Sequence, residues 1–217
     1  MRTLFPDNAD FEAGEVILMN KPKGWTSFDV VAKIRNLLKA KKIGHAGTLD
    51  PLATGLLILC TGKKTKTINE IQDAAKTYIA TIKLGATTPT YDAEMPEENV
   101  VDTRHITLAD IETIIPSFVG EIDQVPPIYS AIKIEGKRSY DLARRDKAVE
   151  LKSRKITIYS LDILGFTPPG NLSLRVYCSK GTYIRSLAHD MGQRLGVGGY
   201  LLDLERTKIG NYSLDDA

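Results

Sequence analysis

At 217 residues, 42% hydrophobic and 26% charged, the chain has the composition of a folded globular protein and the length for one substantial core or two small ones, which excludes disordered and collagen-like classes. The formal net charge of +2 is too mild by itself to name a partner. The longest apolar run, Gly55 to Cys60, is far short of a bilayer span, and the opening MRTLFPDNADFEAGE lacks the basic and apolar regions of a signal peptide, so a cytoplasmic protein without a membrane partner is expected.

After a polar arm, EVILMN reads as a short buried strand and KPKGWTS as a loop that leads to Ser27 as the N-cap of a helix reaching about Lys39. Val30, Val31, Ile34, Leu37 and Leu38 recur at helical spacing and face a core, while Lys33, Arg35 and Lys39 stay wet. GHAGTLDPLATG is read as a loop, LLILCT as a core strand and KTKTINEIQD as a helix. KTYIATIKLG alternates with Tyr78, Ala80, Ile82 and Leu84 on one face, as a strand does.

Residues 86–101 read as an acidic, turn-rich, solvent-exposed excursion, followed by a short helix capped by Thr107 and Asp110. IYSAIKIEGKRSY predicts a strand, a tight turn at Glu135 and Gly136, and a helix carrying Arg144 and Arg145. KITIYSLDILGF and NLSLRVYCSK predict a hairpin around Pro168, Pro169 and Gly170; TYIRSLAHDMGQRLG predicts a helix ended by Gly196, and a last strand runs from about Tyr200 to Lys208. Strands and helices are mixed without strict alternation, so the expected class is α+β on a mostly antiparallel mixed sheet flanked by helices.

Charge is segregated along the chain. From Lys21 to His45 seven Lys or Arg face one acid, whereas from Asp92 to Asp123 nine acids face one Arg. A single charge run is usually a solvated face, yet phosphate recognition needs clustered cations, and a basic half beside an acidic half favours an RNA partner. The stretch from Lys133 to Lys147 adds Lys133, Lys137, Arg138, Arg144, Arg145 and Lys147, a candidate phosphate-contacting face and equally a wet helix. Cys60 and Cys178 stand 118 positions apart with no CxxC pair and three scattered histidines, so neither a disulfide framework nor a metal site is suggested.

GHAGTLDPLATG surrounds one carboxylate, Asp50, with three glycines and a proline. Pro51 disfavours helical backbone at Asp50, and Gly44, Gly47 and Gly55 permit tight turns or close approach by another molecule. An arbitrary Asp-Pro most often just caps a turn, and this stretch matches neither phosphate-loop pattern.

The same stretch closely resembles the signature of TruB-type tRNA pseudouridine synthases. NKPKGWTS at Asn20 to Ser27, KTYIATIKLG at Lys76 to Gly85 and CSKGTYIRSLAHDMG at Cys178 to Gly192 match in the same order, with shorter echoes at PPIYSAIKIEGKRSY and LERTKIG. The resemblance runs from about Gly14 to Tyr212 and implies the pseudouridine synthase fold with a central active-site cleft. It implies isomerisation of a uridine in the T arm of tRNA by an enzyme that needs no cofactor and acts as a monomer without a protein partner. It makes residues 1–13 an N-terminal arm and 14–217 the catalytic domain, with an acidic insertion at about 86–123 and no C-terminal PUA domain.

Site residues follow from the same match. Asp50 is implied as the catalytic carboxylate, which attacks the nucleotide or takes part in proton transfer. The target base must be extruded from a folded loop. His45 is implied near the flipped base, Tyr78 as the ring that stacks on it and as a catalytic group for proton transfer, and Arg185 as the catalytic guanidinium that pairs with Asp50. Tyr183 and Leu204 are implied as pocket walls, and Lys21 and Pro22 as a wall or a support for the Asp50 loop. Asn20 stands where the family usually has aspartate, which leaves no ionic role at that position. A guide-RNA-dependent relative and a non-catalytic tRNA-binding or folding module are the rival readings.

Overall fold

The computed structural model describes residues 9–129, 133–134, 137–138 and 151–217. They divide into two units of chain, Met1–Thr77 with Glu205–Ala217, and Tyr78–Leu204. The expected turn at Glu135 and Gly136 and the helix carrying Arg144 and Arg145 lie outside the described residues.

The first unit is built on β3 (Thr54–Thr61). Antiparallel β1 (Val16–Lys21) runs along one edge, from Val16 opposite Cys60 to Lys21 opposite Gly55. The other edge is shared by antiparallel β2 (Ile43–Ala46) and by Glu205 and Arg206, which pair in parallel with Thr54 and Gly55. Alternation along β3 feeds two cores. Leu57 and Leu59 join Ile17, Ile43, and Val30, Val31 and Ile34 of α1 (Ser27–Leu38); Leu56, Ile58 and Cys60 join Ala46, Ile209, and Ile71 of α2 (Ile68–Asp73). Burial on both faces is why LLILC is apolar at every position instead of every second one.

The N-cap of α1 is Thr26, not Ser27. Thr26 accepts from the Asp29 backbone N–H while Asp29 accepts from the Thr26 N–H, a complete capping box. Ser27 is buried and its hydroxyl is used elsewhere. The stretch GHAGTLDPLATG is also only partly loop, since residues up to Ala46 belong to β2 and those from Thr54 to β3. KTKTINEIQD starts as a 3-10 turn and becomes α-helical only from Ile68.

In the second unit the strand order is β4 (Lys76–Leu84, from Tyr78 in this unit), β9 (Asn171–Cys178), β8 (Arg154–Thr167) and β5 (Gly120–Gln124). β8 and β9 form the expected hairpin, antiparallel from Ile158 opposite Cys178 to Thr167 opposite Asn171, and β5 pairs antiparallel with β8. Lys133–Ile134 (β6) and Lys137–Arg138 (β7) form a separate two-stranded pair. Ala80, Ile82, Ile158, Leu172, Leu174 and Val176 are fully buried. α3 (Leu108–Ile114) carries the expected Thr107–Asp110 capping box. α4 (Ile184–Arg194) ends before Gly196, whose φ of 75° suits the helix exit. It packs so closely on β10 (Gly199–Ile209) that a Cβ on Gly192 would meet the Gly199 nitrogen at 2.1 Å.

The excursion at residues 86–101 is not uniformly exposed. Ala86, Thr88, Thr90 and Asp92 are buried at every second position, and residues 93–101 lie open to water. The α+β class with a mixed sheet holds: most strand pairs are antiparallel and β10 joins β3 in parallel.

Candidate active site

Asp50 lies in the connection between β2 and β3 and is half-buried. The Ala53 N–H donates to the Asp50 carbonyl at 3.1 Å, which closes a turn with Pro51 at its second position, where the ring presets φ. Gly47 and Gly55 flank this turn with φ of 87° and 95°. At Gly55 a side chain is excluded twice over, because a Cβ would also stand 2.4 Å from the Arg206 carbonyl oxygen.

The turn is fastened from two directions within the first unit. On one, the Ser27 hydroxyl donates to the Leu49 carbonyl (3.1 Å) and accepts from the Leu49 N–H (2.9 Å), while the Gly24 N–H donates to the Pro51 carbonyl (2.8 Å). Lys21, fully buried, donates its Nζ to the carbonyls of Trp25 (2.6 Å), Pro22 (3.1 Å) and Pro51 (3.5 Å). On the other, Arg206, 1% exposed, donates Nε to Leu56 (2.9 Å), Nη2 to Gly47 (3.0 Å) and Nη1 to Thr48 (3.5 Å), all carbonyl oxygens. Two buried cations thus hold the backbone before and after Asp50.

Electrostatics follow from that burial. Desolvation holds the Lys21 ammonium below its ordinary pKa; the Asp50 charge raises it in part, and Arg206 adds to the lowering. Lys21 thus reaches the Asp50 turn through the Pro51 carbonyl, and Pro22 lends it a further carbonyl. His45 sits half-buried on β2 opposite Leu59. Burial lowers its imidazole pKa, the Gly47 backbone opposes the shift and the Arg206 charge reinforces it, so the ring is neutral at pH 7.

The second unit holds the other four residues. Tyr78 is on β4 at 8% exposure, one of the inward positions of an alternating strand. Tyr183 is the N-cap residue of α4: its N–H donates to Gln124 Oε1 (2.8 Å), its carbonyl accepts from Gln124 Nε2 (3.1 Å), and the Arg154 guanidinium lies 5.8 Å from its ring centroid. Arg185, 7% exposed, donates Nη1 to the Thr90 carbonyl (3.1 Å) and Nη2 to the Tyr129 carbonyl (2.9 Å), and its Nη1 makes an ion pair with Asp92 Oδ2 at 3.4 Å. Leu204 is a buried residue of β10. Among the described residues no group of three or more His, Cys, Asp or Glu is placed to hold a metal ion.

Three contributors are absent from the residue set read in the sequence. Arg206 was legible as a cation at an inward position of an alternating strand, in step with Leu204. Asp92 belongs to the period-two series Ala86, Thr88, Thr90, Asp92, a strand-like signal overridden by the acidic residues that follow. The role of Ser27 had no sequence signal, since its partner Leu49 is 22 positions away.

The model of the TruB family pseudouridylate synthase N-terminal domain matches residues 35–184, more than half of the chain. The chain belongs to the TruB family. It is 53% identical over 212 residues to the tRNA pseudouridine synthase B of Parabacteroides distasonis, covering 95% of this chain and 90% of that protein. With the protein of the same name from Flavobacterium johnsoniae it shares 49% identity over 215 residues, 96% of this chain and 93% of that protein. Among solved structures, a chain of a Cbf5–Nop10–Gar1 complex matches with a TM-score of 0.72 and 31% identity. That match covers 95% of this TruB-family chain, which spans about half the length of the Cbf5-complex chain (51%), so the likeness is to the pseudouridine synthase fold. The matched family region includes His45, Asp50, Tyr78 and Tyr183 and stops one residue short of Arg185.

Proposed function

We propose that this chain isomerises a uridine to pseudouridine in the T arm of tRNA, without a guide RNA, and that Asp50 is the carboxylate that does it. One observation carries the reading: the Asp50 turn is clamped by Lys21, Ser27 and Gly24 on one side and Arg206 on the other. A carboxylate on such a turn is preorganised, so it loses little conformational entropy on meeting the reacting nucleotide. The family membership and the curated relatives named tRNA pseudouridine synthase B supply the substrate class. A cytoplasmic location goes with a tRNA substrate, and no described helix is long and apolar enough to cross a membrane.

The reaction breaks the bond between ribose C1′ and uracil N1, turns the base and joins C1′ to C5. The C5 hydrogen leaves as a proton and N1 gains one, so the change is redox-neutral. Asp50 serves as nucleophile or in proton transfer, and the family resemblance assigns Tyr78 the stacking role on the extruded base and Arg185 a part in catalysis. The resemblance gives His45, Tyr183 and Leu204 base-contacting roles, and Lys21 and Pro22 a supporting role at the Asp50 turn.

The test is tritium release from an unmodified tRNA transcript labelled at uridine C5, with no guide added. The wild-type chain releases label; Asp50→Asn lowers release by more than about 100-fold yet retains the transcript in a filter-binding assay. Release that appears only after guide RNA is added overturns the guide-free reading, and binding without release by the wild type overturns catalysis.

A further inference from the structure

We propose that Trp25 and Phe28 form a stacking lip that holds an unpaired nucleobase of the RNA substrate beside the Asp50 turn. The inference rests on the RNA-modifying function proposed above and adds a substrate contact to it.

Both rings stand open to water beside the Asp50 turn. Trp25 is 41% exposed and Phe28 69%, while the buried face of α1 is made by Val30, Val31 and Ile34. Leaving a large apolar ring in water forgoes the favourable transfer that burial provides, which a stacked base would restore at each of these rings.

Their position ties them to the reaction. The residues on either side of Trp25 are bonded to the backbone on either side of Asp50: the Gly24 N–H and the Lys21 Nζ reach the Pro51 carbonyl, Lys21 Nζ also reaches the Trp25 carbonyl, and the Ser27 hydroxyl holds Leu49. A base resting on this strip therefore lies against the segment that presents the carboxylate. Charge on α1 identifies the occupant. Lys33, Arg35 and Lys39 are exposed along the same helix, and its sole acid, Asp29, is occupied by the Thr26 backbone and hydroxyl. Aromatic faces flanked by cations suit a base on a phosphate chain, and stacking of this kind tolerates any base. Extrusion of the target uridine breaks stacking within the loop; a neighbouring base stacked on Trp25 and Phe28 restores part of it.

Trp25 is the only tryptophan in the chain, so its emission reports the lip directly. The full chain carrying Asp50→Asn, which binds without turnover, is titrated with a T-arm stem-loop RNA and with a blunt duplex of equal length. The stem-loop quenches Trp25 emission with a midpoint equal to its filter-binding Kd, and the duplex does not. Phe28→Ala and Trp25→Ala, made in the otherwise wild-type chain, weaken stem-loop binding and raise KM by about 5- to 150-fold while kcat at saturating RNA is kept; Trp25→Phe retains affinity. The proposal is overturned if the stem-loop binds with Trp25 emission unchanged, or if the alanine variants, melting as the wild type does, bind RNA normally. Quenching with no tritium release by the wild type sinks the catalytic reading and supports the lip, whereas absence of any RNA binding sinks both.

Discussion

Arg206 shows how much one side chain can decide. Its planar fork meets the carbonyls of Leu56, Gly47 and Thr48 at once, and the guanidinium, at 1% exposure, has no water to take their place. Lysine keeps the charge and loses the fork. Arg206→Lys is expected to cost about 1–3 kcal/mol of stability by leaving the buried Leu56 carbonyl unpaired. Urea denaturation checks the first effect; a kcat that falls more than RNA affinity does checks that the loss is in the Asp50 turn. Asp190 makes a second residue-scale prediction. Burial pushes its carboxyl from 3.8 up to about 6. The folded chain therefore binds this proton more tightly than the unfolded chain, and its contribution to stability is complete below pH 4 and is lost as pH rises through 6. Asp190→Asn should remove a decline of up to about 3 kcal/mol over that window. The wild-type minus variant difference in urea midpoint between pH 4 and 7 measures it, and a flat difference would refute it.

Among the elements, α4 contains an apparent weakness that is a packing requirement. Gly192 sits in the helix interior, where glycine is normally destabilising, but its missing side chain admits the backbone of Gly198 and Gly199 at 2.2 Å and 2.1 Å from where a Cβ would be. Gly192→Ala should destabilise the chain by about 3 kcal/mol or more through overpacking. Gly181→Ala, with φ of 81° and open space around the added carbon, should cost only about 1–2 kcal/mol. Thermal melts of the two variants side by side check the contrast. Element identity was legible where periodicity was strong: β1, α1, β3, β4 and the β8–β9 hairpin follow from alternation or helical spacing. The α1 cap was misread because Thr26 and Ser27 are adjacent hydroxyls of similar capping ability, and the choice is made by Leu49, which claims Ser27. Composition likewise misled at residues 86–92, since acidic residues nearby outweighed a buried period of two.

At the scale of the whole molecule, charge is the property read most directly from the chain. The cations between Lys21 and His45 and the acids between Asp92 and Asp123 give a molecule whose RNA affinity should depend strongly on salt. Raising monovalent salt fourfold should weaken tRNA binding by about 10- to 100-fold, as for two to four neutralised phosphates. Filter binding across that range measures the slope, and a flat response would remove phosphate contact from the account. The chain by itself determined the α+β class, the apolar strands, the family and the candidacy of Asp50, because local periodicity and an ordered set of motifs are properties of neighbouring residues. Only the tertiary structure decided that Lys21, Ser27 and Arg206 converge on the Asp50 turn and that Asp92 is buried against Arg185. Those partners stand 22 to 159 positions apart, and hydrogen bonds across such separations are set by how strands stack and pair, which no local pattern records.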